Sequence, residues 1–174
     1  MEKRRLGKSD LYVSVIGMGC WQYGGGSYWG EQSQQDVNEI VAKAIDVGIN
    51  YFDTAEVYNA GESEVSLGLA LKGRRDQALI GTKISPSNTE RKVLIEHCDA
   101  SLRRLGTDYI DLYMLHWPIN PLSVKHFTNN EHKPEQLTNM QDVLETLSML
   151  REQGKIREIG ISNHGDLQMD ELGS

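Results

Sequence analysis

The chain has 174 residues, enough for one ordinary domain with a substantial buried core. Its formal net charge of −7 argues against nucleic acid and anionic membranes as partners, because both reward clusters of Lys and Arg. Hydrophobic residues make up 39% of the chain, which is normal for a soluble globular protein. No apolar run approaches the roughly 20 residues of a membrane span, and the start lacks a secretory signal. We therefore expect a water-soluble protein. The only cysteines, Cys20 and Cys98, predict a reduced, cytoplasmic environment.

Strand and helix signals alternate along the chain. The first strand signal is YVSVIGMG, residues 12–19, whose β-branched residues and closing glycines predict one buried strand. Residues 33–48 predict a helix. Ser33 and Asp36 are expected to cap its start, and Gly48 is expected to end it. Apolar residues at i, i+3 and i+4 spacing predict its buried face, namely Val37, Ile40, Val41, Ala44 and Ile45.

The same alternation continues through four more strands. These are INYFDTA (49–55), ALIGTKI (78–84), DYIDLYMLHW (108–117) and IREIGISN (156–163). A helix is predicted after each of the first three, through Val65, Leu69 and Lys72, at 89–106 and at 138–154. Residues 118–137 are rich in Pro, Asn and Lys without periodicity, and they predict an inserted loop.

The predicted strands end at Gly19, Asp53, Lys83, His116 and Asn163. The first three intervals are each roughly 30 residues, the size of one βα unit in a (β/α)8 barrel of about 250 residues, and the predicted loop lengthens the fourth. Strict βα alternation implies parallel strands joined by right-handed crossovers. It does not decide between a closed barrel and an open, doubly wound sheet.

Chemically distinctive side chains lie at or just past these strand ends. In a barrel, functional residues gather at the C-terminal face, where parallel strands direct them to one opening. Singly, each has a structural explanation: a buried histidine, a loop tyrosine, a lysine reaching solvent or an aspartate capping a turn. Together they favour a functional site and hence a barrel. The residues are Cys20, Trp21, Asp53, Tyr58, Lys83, His116, Trp117, Ser162 and Asn163.

Tyr58 acquires a chemical role from its predicted neighbours. A free tyrosine has a pKa of about 10 and transfers protons poorly at neutral pH. A lysine cation such as Lys83 favours the phenolate, and a carboxylate such as Asp53 keeps the amine charged and oriented. A histidine such as His116 can hydrogen-bond a carbonyl oxygen. Such a set would protonate a carbonyl oxygen while hydride reaches its carbon, so a nicotinamide cofactor is implied.

Several motifs resemble one known family. GINYFDTAEVYNAGESEVSLGLAL, LIGTK, YIDLYMLHWP and IREIGISN resemble the aldo-keto reductase superfamily, whose members are NADPH-linked (β/α)8 barrels. GMGCWQYGG and SLRRLGTDYIDLYMLHWP are similar to its bacterial oxidoreductase and potassium-channel β-subunit branches. The resemblance implies that Tyr58 is the general acid/base, that Asp53 and Lys83 tune it, and that His116 orients the substrate carbonyl.

The resemblance also implies binding roles around these four residues. The cofactor, NADPH or NADP, would contact Cys20, Trp21, Asp53, Ser162 and Asn163. An aldehyde or ketone substrate would contact Trp21, Tyr58, His116 and Trp117. Residues 4–14, RRLGKSDLYVS, resemble the N-terminal hairpin that plugs the bottom of the family's barrels.

The family's barrels contain eight βα units, of which the sequence shows about five. We therefore expect residues 1–174 to form a single partial barrel domain with the N-terminal hairpin. The family's loops for the cofactor's pyrophosphate and 2′-phosphate would follow Asn163. Five parallel strands would expose sheet edges, so we expect the isolated chain to self-associate or to require the missing part in trans. We also expect it to bind NADPH weakly and to be inactive alone.

Two other motifs do not indicate a ligand site. The segment GMGCWQYGGG departs from a Rossmann fingerprint because Gln22 occupies the position of the third glycine. His126, Glu131 and His132 lie in the predicted loop, and without a rigid element to fix their geometry we expect no metal site.

Two questions remain open at the level of sequence. The predicted loop, residues 118–137, either covers the substrate entrance or is a disordered surface excursion. The protein could also be a non-catalytic, NADPH-binding regulatory or scaffold protein on the same fold. The presence of all four catalytic residue types favours the reductase, because a scaffold has no need of Tyr58 beside Lys83 and Asp53.

Overall fold

The computed structural model describes residues 1–128 and 136–165. Within these ranges an antiparallel pair precedes a five-stranded parallel sheet whose strands pair in sequence order. The pair consists of β1 (Lys3–Arg5) and β2 (Tyr12–Ser14). The sheet consists of β3 (Met18–Gly19), β4 (Tyr51–Asp53), β5 (Leu79–Ile84), β6 (Ile110–Leu115) and β7 (Ile156–Ile161).

Helices connect the parallel strands. They are α1 (Gln34–Asp46), α2 (Glu62–Ala70), α3 (Arg91–Leu105), α4 (Pro121–Thr128) and α5 (Met140–Glu152). Short 3-10 turns cover Tyr58–Gly61, Arg75–Gln77 and Pro86–Asn88. No helix in the described part of the chain is both long enough and apolar enough to cross a membrane.

The caps predicted for α1 are confirmed. The Ser33 hydroxyl accepts a hydrogen bond from the Asp36 N–H at 3.1 Å, and Gly48 has the left-handed φ of +89° that ends the helix. The predicted face is wrong at one position. Ile40 is 41% exposed, because the helix buries the narrower stripe of Val37, Val41 and Ala44.

The single strand predicted for residues 12–19 is wrong. Residues 12–14 pair with β1 in the hairpin expected from the family resemblance, and only Met18–Gly19 join the parallel sheet. The chain changes direction because Ser14 is bonded to Asn50 through its N–H at 2.7 Å and its hydroxyl at 3.1 Å. These bonds dock the hairpin at the N-terminal end of β4.

The loop predicted for residues 118–137 is also wrong in its first half, which contains α4. Asn120 caps this helix by accepting a hydrogen bond from the Ser123 N–H at 2.9 Å, and Pro121 is its first residue. Its buried positions are Ser123, Val124 and Thr128. Small polar residues on the buried face concealed the helical period. Residues 129–135 lie outside the described part of the chain.

The register of the sheet aligns the strand ends at one edge. Asp53 is opposite Gly81, and Lys83 is opposite Met114. Parallel hydrogen bonding continues one residue past the ends of the strands, from Thr54 N to Gly81 O at 2.8 Å and from His116 N to Ile84 O at 2.9 Å. The side chains that follow the strands are therefore held by main-chain bonds.

The hydrophobic core fills the space between the sheet and the helices. Its fully buried members include Phe52 of β4, Ile80 and Ile84 of β5, Leu94 of α3 and Leu147 of α5. All six residues of β6 are buried, as expected for a central parallel strand. This packed scaffold fixes the positions of the strand ends.

Candidate active site

Four of the predicted site residues meet at the C-terminal edge of the sheet. Asp53 ends β4, Lys83 is near the end of β5, His116 directly follows β6, and Tyr58 begins the 3-10 turn after β4. The Tyr58 hydroxyl lies 3.3 Å from Lys83 Nζ and 3.5 Å from His116 Nε2. An acid, a phenol, an amine and an imidazole thus form one contiguous cluster.

Lys83 is the centre of this cluster. It is only 4% exposed. Its ammonium donates to Asp53 Oδ1 at 2.6 Å, to the Thr54 carbonyl at 2.8 Å and to the Tyr58 hydroxyl at 3.3 Å. An ammonium has three N–H donors, and here each has an acceptor. The charge is therefore compensated by Asp53 and directed at Tyr58.

His116 is neutral at physiological pH. Burial, together with the nearby Lys83 cation, lowers the pKa of His116 to about 4. Its Nδ1 is buried and has no hydrogen-bond partner among residues 1–128 and 136–165. A neutral imidazole can still donate one N–H, so Nε2 can share a carbonyl oxygen with Tyr58.

A cavity of about 760 Å³ opens over the cluster, and we call it the strand-end cavity. Tyr58, His116 and Asn163 contribute to its lining. Trp21 and Trp117, both predicted as binding residues, also line it. The volume is within the range of small-molecule sites, which combine apolar walls with a few polar groups.

One wall of the strand-end cavity comes from α4, which sequence reasoning missed. His126 stacks on Trp117 with ring centroids 5.1 Å apart. Phe127 packs 5.7 Å from Trp117 and 5.3 Å from His116. The signal that could have revealed this wall is the Asn120-Pro121 helix start.

His126 was weighed above as a metal ligand, and it instead packs as an aromatic ring. Within the described ranges, no group of three or more His, Cys, Asp or Glu residues is arranged to hold a metal ion. The other two residues of that motif, Glu131 and His132, lie outside the described residues.

Trp21 also lines the cavity, with its ring 5.9 Å from that of Tyr58. Tyr28 stacks on it at 5.5 Å, and Trp29 meets it edge-on at 5.2 Å. Neither Tyr28 nor Trp29 was predicted from the sequence as a site residue. Asn59 supports the same segment, because its Nδ2 donates to the Trp21 carbonyl at 3.0 Å and the Tyr23 carbonyl at 2.7 Å.

The remaining predicted cofactor contacts lie in different environments. Asn163 lines the cavity, and its Nδ2 donates to the His116 carbonyl at 2.9 Å and the Ser162 hydroxyl at 3.0 Å. Cys20 is fully buried, so it presents no surface to a ligand in this structure. Its main-chain N–H and carbonyl are bonded to the Asp53 carbonyl and the Ser63 hydroxyl.

Comparisons with known proteins give a consistent result. The family model described as "Aldo/keto reductase family" matches residues 15–173. The chain is 34% identical to the aldo-keto reductase YhdN of Bacillus subtilis, covering 98% of this chain and 49% of that protein. It is also 34% identical to an NADH-specific methylglyoxal reductase of Escherichia coli, covering 94% of this chain and 52% of that protein. The chain thus spans about half the length of the curated relatives it matches.

Solved structures agree with the sequence matches. An aldo-keto reductase from Klebsiella pneumoniae, solved in complex with NADPH, superposes with a TM-score of 0.76 at 31% identity. The match covers 93% of this chain and 50% of that one. It confirms the predicted fold class, a parallel (β/α)8-barrel fold of which the described residues form five strands and an N-terminal hairpin.

Proposed function

The chain belongs to the aldo/keto reductase family, and from this premise we propose that the protein carrying it reduces aldehyde and ketone carbonyls to alcohols with NADPH. The observation that carries the proposal is the position of Lys83, whose ammonium contacts both Asp53 and the Tyr58 hydroxyl. A buried lysine in this arrangement stabilises a phenolate, which proton transfer from Tyr58 requires.

The polar groups beside the cluster fit a nicotinamide. Asn163 and Ser162 place an amide and a hydroxyl next to His116, and such groups can hold a carboxamide. Trp21 supplies an aromatic face at the cavity, and Asp53 lies at the end of β4, bonded to Lys83. Bound NADPH would supply the hydride.

The protein residues account for orientation and for the proton. A substrate carbonyl oxygen placed between Tyr58 and His116 would accept a hydrogen bond from each. As hydride reaches the carbonyl carbon, Tyr58 donates its proton to the oxygen. The Lys83 cation stabilises the phenolate that remains, and Asp53 keeps that cation in place. Alcohol oxidation reverses these steps.

Aromatic side chains line the strand-end cavity, and with cofactor and substrate bound they would limit the access of water to the reacting carbonyl. They include Trp21, Trp117 and Phe127. Excluding water strengthens the electrostatic effect of Lys83 on Tyr58. A cytoplasmic location is part of the proposal, and the unpaired, buried thiols of Cys20 and Cys98 support it.

The proposal can be tested by measuring the rate of cofactor oxidation. The protein for this assay is the one expressed from the full reading frame that contains this sequence. NADPH and NADH should both be tried, since one relative is NADH-specific and another binds NADPH. Methylglyoxal and a panel of larger aldehydes would serve as substrates. We expect aldehyde-dependent oxidation that Tyr58→Phe abolishes and Tyr12→Phe, at an exposed tyrosine, leaves intact. Equal turnover in both variants, or none in the wild type, would contradict the proposal.

A further inference from the structure

A second polar cluster borders the strand-end cavity, beside the four residues discussed so far. Its centre is Glu56, which precedes Tyr58 by two residues and is buried. Glu56 Oε2 is 2.7 Å from His97 Nδ1 on α3. Its Oε1 accepts hydrogen bonds from the Ser85 N–H and from Asn88 Nδ2, both at 2.9 Å. Glu56, Asn88 and His97 all line the strand-end cavity.

Glu56 joins the two segments that carry Tyr58 and Lys83. Its main-chain N–H donates to the Lys83 carbonyl at 3.3 Å. Its side chain reaches the N–H of Ser85, two residues beyond Lys83. One residue thus fastens the segment before Tyr58 to the end of β5 through both main chain and side chain. His97 extends this connection to α3.

The charges of the cluster are matched. Burial raises the pKa of Glu56. This effect is outweighed by the hydrogen bond and charge of His97 and by the bonds from Ser85 and Asn88, so the pKa of Glu56 is below its ordinary value. The hydrogen bond to Glu56 raises the pKa of His97, against the effect of its own burial. Both shifts favour the charged forms, a Glu56 carboxylate paired with a His97 imidazolium.

Other charged groups face this pair. Arg104 of α3 lowers the pKa of His97 and Glu96 raises it, both less than Glu56 does. Arg104 is itself paired with the buried Glu64 of α2 at 2.6 Å. The negative charge of Glu56 also acts on two buried rings. It raises the pKa of His116, against the larger effects that lower it, and it raises the pKa of Tyr113.

A buried ion pair of this kind is weak evidence for stability, because desolvation offsets much of the attraction. Its position suggests a different use. Proton transfer depends on the distance and angle between donor and acceptor, and small displacements of a catalytic group reduce the rate strongly. The turn that carries Tyr58 contains two non-glycine residues with positive φ, Asn59 at 49° and Ala60 at 53°, so it requires support from its surroundings.

We propose that Glu56 and His97 are positioning residues, whose ion pair fixes the Tyr58 hydroxyl at its distance from Lys83 and His116. The inference rests on the proposed carbonyl reduction, because it assigns the pair to that reaction. Neither residue touches the reacting atoms. They act through the segment that joins Glu56 to Tyr58, and on the other side Asn59 secures that segment to the Trp21 carbonyl.

The proposal gives the pair a pH signature. His97 is protonated below its raised pKa and neutral above it, so the ion pair is present at lower pH and is lost as pH rises through that value. The rate of carbonyl reduction should decline over the same range. The neutral hydrogen bond that remains holds the segment less firmly than the charged one.

Two substitutions of His97 separate positioning from simple packing. His97→Gln keeps an N–H donor but removes the charge at every pH. We expect it to lower kcat on the order of tenfold, with cofactor affinity unchanged, and to remove the alkaline decline assigned to His97. His97→Lys keeps a cation in reach of Glu56 and should restore most of the rate without the decline assigned to His97. Lys92→Gln, at an exposed position of α3, is the matched control and should behave as wild type.

Two readouts do not depend on turnover. Histidine NMR of the full-length protein should give His97 a pKa above the ordinary value, and Glu56→Gln should return it toward that value. Hydrogen–deuterium exchange of residues 54–61 should be faster in His97→Gln than in Lys92→Gln. If His97→Gln lowers only the melting temperature and keeps the wild-type kcat and pH profile, the pair is structural and the proposal is wrong.

Failure of the proposed function would look different. In that case the wild-type protein reduces no carbonyl, while the NMR and exchange measurements still report whether the pair orders the Tyr58 segment. Unaltered exchange in His97→Gln would then overturn the positioning role by itself. Where Glu56→Gln fails to fold, the two His97 variants decide the question.

Discussion

The two ends of the parallel sheet each contain a buried ionic cluster, and the clusters are built in opposite ways. At the C-terminal ends of the strands the central group is a cation, Lys83, surrounded by Asp53, a carbonyl and the Tyr58 hydroxyl. At the N-terminal ends the central group is a carboxylate, Asp111 of β6, surrounded by Arg75 and Arg157.

The N-terminal cluster is closed around a buried carboxylate. Asp111 is 1% exposed, and its Oδ2 accepts from Arg75 at 2.6 Å and from the Ile80 N–H at 2.9 Å. Its Oδ1 accepts from Arg157 at 2.7 Å. A guanidinium presents several fixed N–H donors to a carboxylate, and these bonds tie β5, β6 and β7 together.

The C-terminal cluster differs because one of its members faces a cavity. Lys83 shares its ammonium with a phenol, and that phenol lines an open cavity. Both clusters contain a buried ion pair. They differ in the side chain that completes the hydrogen bonding of the central charged group. Where arginines complete it, the result is a fixed connection, and where a tyrosine completes it, the result is the group that we propose as the proton donor.

The largest effect is expected from Tyr58→Phe at the C-terminal end. Removing the hydroxyl removes the proton donor while leaving the ring packed near Trp21. We expect kcat for carbonyl reduction to fall by about 10² to 10⁴, the usual size of an acid–base contribution, with cofactor affinity almost unchanged. Steady-state kinetics and a cofactor fluorescence titration would measure both. A variant that retains near-normal turnover would remove Tyr58 from this role.

The next effect is expected from Asp111→Ala at the N-terminal end, and it should change stability. Two guanidinium groups and the Ile80 N–H would lose their acceptor. We expect the free energy of unfolding to fall by about 2 kcal/mol or more, less than for a fully buried pair because Arg157 is half exposed. Urea denaturation would measure it, with the exposed Asp108→Ala as control. Loss of kcat in the folded variant at unchanged stability would contradict the comparison.

A smaller effect is expected from Lys83→Met, which removes the cation but keeps a side chain of similar length. The phenolate of Tyr58 would lose the charge that stabilises it, so the pH–rate profile of alcohol oxidation should move to higher pH. Lys72→Met, at an exposed lysine, serves as the control. An unchanged profile, measured with sufficient residual activity, would show that Lys83 does not couple to Tyr58.

The smallest effect is expected from His116 in the pH dependence of stability. In the folded protein the pKa of His116 is lowered to about 4. Between about pH 6.5 and pH 4, His116 therefore binds a proton in the unfolded chain but not in the folded chain. Stability should therefore fall as pH decreases through that window. In His116→Gln the slope of unfolding free energy against pH should be shallower there. Identical slopes in the two proteins would argue against a neutral, buried His116.

Strand and helix order could be predicted from the sequence because each βα unit carries its own local signals. The Ser33 cap, the glycines that end the helices and the apolar periods all refer to neighbouring residues. The juxtaposition of Asp53, Tyr58, Lys83 and His116 also followed, since parallel strands direct their ends to one edge. Roles for these residues in catalysis remain predictions for the experiments above.

Features set by contacts distant in sequence could not be predicted. The break between β2 and β3 depends on Ser14 bonding Asn50, and the aromatic wall depends on Phe127 packing against His116. The pairing of Glu56 with His97 joins residues from different βα units. Neither residue lies in a periodic pattern that marks it, so only the three-dimensional structure reveals the pair.

The order of strands in the sheet has a consequence for how the chain folds. Every parallel pair joins strands that are neighbours in the sequence, so each pairing requires the closure of only one crossover. Loop-closure entropy rises slowly with length, so the crossovers differ little in this cost, although parallel pairing itself is slow to form. We therefore expect that the sheet can nucleate at any pair of neighbouring strands and grow in both directions along the chain. A defect in one crossover would delay the strands on either side of it and leave the rest of the sheet free to assemble.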